Sequence, residues 1–249
     1  MNVCFNGCSF TEGAGFEVKD RDTYIYDRLV ANHFGWNRTN IGSIGSSNTT
    51  IFMRSARAIM SNKYNIVLNQ WTGLNRQWFY PGPDCAYSIY DDSSNFEYRD
   101  LFFDAKFNTM FKNTVRLMNH DYPKIIELID YTNILNTLGK VNNTKVYHIN
   151  GLVPWQDDLI KEINHSDLEN SLSSYTKEII DFNQRDDNEI SALVLKLQDY
   201  FKNIDTTKWI NLFKSFDSQR IDRGPLGHHP GPESHKIMAE HIINFMENQ

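Results

Sequence analysis

The sequence predicts an α/β fold built on a mainly parallel sheet. Short β-prone runs alternate with helical stretches along the chain. Polar, Gly-rich turns follow the first two of those runs. Of 249 residues, 40% are hydrophobic and 13% aromatic, enough to fill a sizeable core. Alternation of strand and helix favours parallel strands, because each crossover returns the chain to lay its next strand in the same direction.

Residues 2–6 (NVCFN) form the first β-prone run and end at Gly7, with a polar turn continuing through Gly15. Residues 20–34 read as a helix with Tyr24, Leu29 and Val30 among its apolar positions. Residues 36–41 lead into a second turn, NIGSIGSSN, and a helix follows over 48–61. Residues 64–69 and 145–149 read as buried strands, the latter closed by Gly151. A last helix starts near Pro232 and runs to about Met246, since proline is tolerated in a first helical turn where its missing N–H would be unpaired anyway.

Two stretches interrupt this pattern inside what reads as a single domain, 1–249. Residues 71–103 hold ten aromatics with Pro81 and Pro83, a long loop with some order of its own. Residues 157–205 carry 12 Asp/Glu against 5 Lys/Arg. Within them Ile190, Leu193, Val194 and Leu197 recur at i, i+3, i+4 and i+7, so this reads as a helical acidic insertion.

The charge balance, 25 Lys+Arg against 31 Asp+Glu, gives a net −6 and disfavours nucleic acid as a partner. Three cysteines make no disulfide framework. No uncharged apolar run approaches the roughly 18 residues of a membrane span, and the first residues lack a basic, apolar leader. A cytoplasmic protein with no membrane partner is therefore expected.

Three segments carry candidate chemistry. Gly7-Cys8-Ser9-Phe10-Thr11-Glu12-Gly13 follows the first strand, where a serine hydroxyl would stand at the sheet edge beside turn N–H groups. It also suits an ordinary Gly/Ser turn. Gly42-Ser43-Ile44-Gly45-Ser46-Ser47-Asn48 follows the second strand, and its Ser47 or Asn48 suits a helix cap. His228-His229-Pro230-Gly231-Pro232 precedes the last helix, and a histidine in a rigid loop can serve as a general base. The histidine spacing matches no tight ligand pattern, so neither a metal nor a cofactor is expected. His235 and His241 read as surface or packing residues.

Taken together, these blocks resemble the SGNH (GDSL-like) hydrolase superfamily, in its divergent branch reading G-C-S-F-T first and H-P-G-P-x-S-H last. The resemblance implies a three-layer α/β/α sandwich with a flavodoxin-like sheet and a serine esterase acting on O-acyl esters. An acetyl group on a carbohydrate is the leading substrate. By the same resemblance Ser9 is the nucleophile and His229 the base. The N–H groups of Ser9 and Gly45, with Gly42 the rival glycine, line the oxyanion hole. Two positions depart from the pattern. Trp71 stands where the family has an oxyanion Asn, so either Asn69 or Gln70 substitutes or the hole is short of one donor. Leu226 stands where the family has Asp, which leaves Asp222, Asp217 or a backbone carbonyl to orient the histidine. Trp71, Arg76 and Trp78 are candidates for substrate contact. Two other readings of the same pocket stay open: a catalytically weak glycan- or peptide-binding module, and an O-acyltransferase.

Overall fold

The computed structural model describes residues 1–74, 77–82, 85–89, 121–152, 202–212, 214–227 and 229–249. Four strands form one parallel sheet: β1 (Asn2–Asn6), β2 (Asn37–Asn40), β3 (Ile66–Trp71) and β6 (Lys145–Asn150), in the order β2-β1-β3-β6. Val3 sits opposite both Arg38 and Ile66, and Ile66 opposite Lys145. A separate antiparallel hairpin joins β4 (Gln77–Gly82) to β5 (Cys85–Ile89).

Period-two alternation builds two cores, one on each face of the sheet. Cys4, Val67, Trp71 and Val146 point to one side, where α4 (Asn48–Met60) and α5 (Asp121–Val141) cover them. Val3, Phe5, Ile66, Leu68, Tyr147 and Ile149 point to the other, against α3 (Tyr26–Phe34) and α6 (Pro232–Glu247). This is the expected three-layer sandwich. Burial pushes the Cys4 thiol up to about 12, so it packs as a neutral side chain.

The helix expected over 20–34 is two helices. The chain is extended at Ile25 (ψ 138°), between α2 (Val18–Tyr24) and α3. The reason lies in the apolar spacing. Helix α2 buries none of its residues, whereas α3 buries Tyr26, Asp27, Val30 and Ala31. The break lets Ile25 enter the core while Tyr24 stays 41% exposed. Strand β3 begins two residues later than expected. Helix α5 was not anticipated by the reading above, although Ile125, Leu128, Ile129 and Thr132 recur at i, i+3, i+4 and i+7 and are all buried. Of the aromatic stretch, only 71–74 and the β4–β5 hairpin fall among the described residues. Nearly all of the acidic insertion lies outside them.

The two sheet edges differ. Strand β2 is short and polar (Asn-Arg-Thr-Asn). Beyond β6 the segment 209–216 runs alongside: Ile210 N donates to His148 O at 2.9 Å and Phe216 N to Asn150 O at 2.8 Å. No helix among the described residues is long and apolar enough to cross a membrane.

Two buried histidines are held neutral. His148 lies between Trp71 and Trp209, with ring centroids 5.8 and 5.2 Å away. Its Nδ1 accepts from Trp71 Nε1 at 3.2 Å, which leaves the proton on Nε2, 3.1 Å from Asn136 Oδ1. His235 stacks on Tyr26, and its Nδ1 accepts from Tyr26 N at 3.3 Å. Burial pushes each down to about 3. Between that value and the unfolded value near 6.5 the unfolded chain binds more protons, so stability falls as the pH drops through that window. Each histidine should contribute a slope of up to about 1.4 kcal/mol per pH unit. Urea unfolding at pH 7, 6 and 5 should show midpoints that decline together with pH, and His235→Phe should flatten the decline. A profile level between pH 7 and 5 would contradict this.

Candidate active site

Because the strands are parallel, the turns after β1, β2 and β3 all open at one edge of the sheet. The turn after β1 folds directly into the four-residue helix α1 (Ser9–Glu12), closed by Gly13 at φ 79°. Gly7 has no room for a side chain: a Cβ there would lie 2.2 Å from Thr11 Oγ1 and 2.9 Å from Gln70 Cβ. That close approach seats the turn on β3. Thr11 Oγ1 donates to Gln70 Oε1 at 2.5 Å and lies 2.9 Å from the Tyr26 hydroxyl, while Cys8 Sγ lies 3.9 Å from the same Gln70 oxygen.

Ser9 begins α1 and is 2% exposed. Among the described residues its hydroxyl makes no hydrogen bond. Its N–H precedes the first i→i−4 bond of the helix and is not consumed by it.

The turn after β2 is bound to the Ser9 turn. Ser43 N donates to Gly7 O at 3.1 Å, and Asn40 Nδ2 donates to Thr11 O at 2.6 Å and to Asp27 Oδ2 at 2.8 Å. Arg38 Nε donates to the same Asp27 oxygen at 2.6 Å. Burial pushes the Asp27 carboxyl up, against the pull of Arg38. Gly45 takes φ 73°, which favours glycine, and its N–H meets no acceptor among the described residues. Ser47 is the cap of α4: its Oγ accepts from Thr50 N at 3.2 Å.

The third segment arrives from the far end of the chain. Arg223 and Pro230 form an antiparallel bridge, Gly224 N donates to His229 O at 2.9 Å, and Gly231 N donates to Asp222 O at 3.3 Å. This small ladder presses on the Ser9 segment through two glycines. Leu226 N donates to Gly15 O at 3.2 Å, and a Cβ at Gly224 would lie 2.5 Å from Gly15 O. A Cβ at Gly15 would stand 3.0 Å from the Cβ of His229. The His229 ring meets the Phe10 ring edge-on, with centroids 5.9 Å apart. Phe10 is the residue after Ser9, so the first and last blocks meet.

Other expected residues fall elsewhere. Trp71 is fully buried and bonded to His148, so its ring packs in the core and offers no face to a substrate. Asn69 is also fully buried. It lies level with Asn6, three residues before Ser9, on the face covered by α4, and its Oδ1 accepts from the Ser55 hydroxyl. Ser55 in turn receives Asn6 Nδ2 at 2.7 Å. Asn69 Nδ2 is buried and makes no hydrogen bond among the described residues. Gln70, on the opposite face of β3, is the neighbour of the Ser9 turn. Arg76 and the Trp78 side chain lie outside the described residues, although Trp78 belongs to β4. Asp222 holds the start of α6: Oδ2 accepts from Glu233 N at 3.0 Å and Oδ1 from Ser234 N at 2.9 Å. Burial pushes its carboxyl up, but these bonds and that of the Ser234 hydroxyl outweigh burial and hold it below its ordinary value. Among the described residues no group of three His, Cys, Asp or Glu side chains could hold a metal.

The fold and these three turns define the class as an α/β sandwich with a serine, a glycine N–H and a histidine segment gathered at one sheet edge. No family model matches the chain, and no curated protein sequence does. Similar solved structures include the psychrotrophic esterase EstA from Pseudoalteromonas sp. (8% identity, 99% of this chain and 97% of that one, TM-score 0.47). Others are a lipolytic protein of the G-D-S-L family from Veillonella parvula (14%, 100% of each chain, 0.45) and a GDSL-like lipase from Bacteroides thetaiotaomicron (14%, 99% and 88%, 0.42). Residue roles in this chain rest on its own geometry.

Gly224→Ala should force the two backbones apart and cost about 1–3 kcal/mol in urea unfolding. Asp222→Ala should cost about 0.5–2 kcal/mol through the lost helix cap. Wild-type stability in the Gly224 variant would mean that the two segments are not in contact.

Proposed function

We propose that this protein is a serine esterase of the SGNH type that hydrolyses carboxylic esters. The observation that carries the reading is the meeting of the Ser9 turn with the His229 loop, with the Ser9 hydroxyl and the Gly45 N–H both lacking a partner among the described residues. His229 takes the hydroxyl proton as Ser9 Oγ attacks the ester carbonyl. The N–H groups of Ser9 and Gly45 donate to the oxyanion that develops on the carbonyl oxygen. The tetrahedral intermediate expels the alcohol, which receives the proton from His229, and leaves an acyl-Ser9. Water, deprotonated by His229, attacks the acyl carbon, and the carboxylic acid departs as Ser9 Oγ regains its proton.

Asp222 serves this arrangement through the backbone. It caps α6 and holds the 222–231 ladder that carries His229.

A small O-acyl group, acetyl on a carbohydrate, is the proposed substrate. In support, the β4–β5 hairpin leaves β3 at the same edge as Ser9 and packs against α4. Its sequence holds Trp78, Phe79, Tyr80 and Tyr87, residue types that stack on sugar rings.

Ser9→Ala should abolish turnover of p-nitrophenyl acetate while leaving the melting temperature close to wild type. A fluorophosphonate probe should label the folded wild type at Ser9 and not the variant. Equal hydrolysis by both proteins would refute the esterase. Absence of labelling in folded wild type would favour the binding module.

A further inference from the structure

We propose that Glu12 is the positioning residue of the oxyanion loop, its carboxylate tying the helix that carries Ser9 to the peptide immediately before Gly45. The inference rests on the esterase reading for its consequence in catalysis. Glu12 lies three residues after Ser9 in α1. Its Oε2 accepts from Ile44 N at 2.5 Å, and its Oε1 accepts from Arg21 Nη1 at 3.1 Å. Both side chains are mostly covered, 27% exposed for Glu12 and 25% for Arg21.

Three features make this bond more than a surface contact. The Ile44 side chain is 58% exposed, so no apolar docking anchors that residue, and its N–H bond to Glu12 does. The residues on either side are held independently. Ser43 N donates to Gly7 O, and Ser46 N donates to Ser43 O at 3.2 Å while Arg54 Nη1 donates to Ser46 Oγ at 3.1 Å. The Ser46 N to Ser43 O bond closes a four-residue turn with Ile44 and Gly45 at its centre, so the Glu12 bond fixes how that turn sits against α1 rather than its internal shape. Finally, a carboxylate near an oxyanion hole opposes the charge that develops there. Its presence calls for a compensating use, and spacing the Gly45 N–H against the Ser9 N–H is one. Arg21 occupies the second oxygen and offsets the charge.

The test compares wild type with Glu12→Ala and Glu12→Gln, using p-nitrophenyl acetate kinetics and hydrogen exchange of the Ile44 amide. Misplacing a donor by about 1 Å can cost about 10²-fold in rate, so Glu12→Ala should lose about 10- to 100-fold in kcat with little change in KM. Its Ile44 amide should exchange much faster. Glu12→Gln keeps an acceptor oxygen and should restore both kcat and protection. Unchanged kcat in an active Glu12→Ala protein, or equal Ile44 exchange in wild type and Glu12→Ala, overturns the proposal. Should the wild type hydrolyse nothing, the esterase reading fails by itself. Exchange then decides the tie: protection lost in Glu12→Ala and regained in Glu12→Gln upholds it, and equal protection overturns it.

Discussion

The contact between Gly15 and Gly224 is the constraint on which the site depends. Two backbones far apart in sequence approach so closely that a methyl group at Gly224 would clash with Gly15 O, and one at Gly15 would crowd His229 and Pro230. The proposed nucleophile and base lie within a few residues of that contact, Ser9 on one stretch of chain and His229 on the other. The approach is set by backbone rather than by long side chains. The imidazole therefore inherits the rigidity of the sheet edge and of helix α6.

A second layer of order comes from buried polar groups. Gln70, Thr11 and Tyr26 connect β3, the Ser9 turn and α3 in one hydrogen-bonded series. Asn40, Asp27 and Arg38 do the same between β2 and α3. Burying such groups costs free energy unless they are paired, and pairing fixes their geometry. The serine and glycine turns are thus held from beneath by amides and a carboxylate, while the Ser9 hydroxyl and the Gly45 N–H have no partner among the described residues.

The parts of this arrangement readable from the sequence were those with local signals. β1, α4 with its Ser47 cap, β6 and α6 with Pro232 in its first turn were legible because turn chemistry and apolar spacing agree there. The three blocks could be singled out as well, because Gly, Ser and His-Pro segments are distinctive. What escaped depended on tertiary contact. The break at Ile25 has neither Gly nor Pro to mark it, and it lets Ile25 enter the core while Tyr24 stays outside. The role of Trp71 could not be read from a single position, since an aromatic at a strand end suits a sugar or a core equally. Its indole bond to His148, 77 residues away, decides for the core. Helix α5 did carry a 3.6-residue pattern, and periodicity alone would have found it.

The two margins of the sheet have a consequence for how copies of this chain behave at high concentration. Unpaired strand margins are templates onto which a neighbouring molecule can add its own backbone, and natural proteins suppress them with brevity, charge or a covering segment. Here one margin is four polar residues long, with Arg38 tied to its neighbours, and the other is already taken by the Trp209–Phe216 segment. Growth of the central sheet from molecule to molecule is thereby blocked at the β6 margin and discouraged by brevity and polarity at the β2 margin.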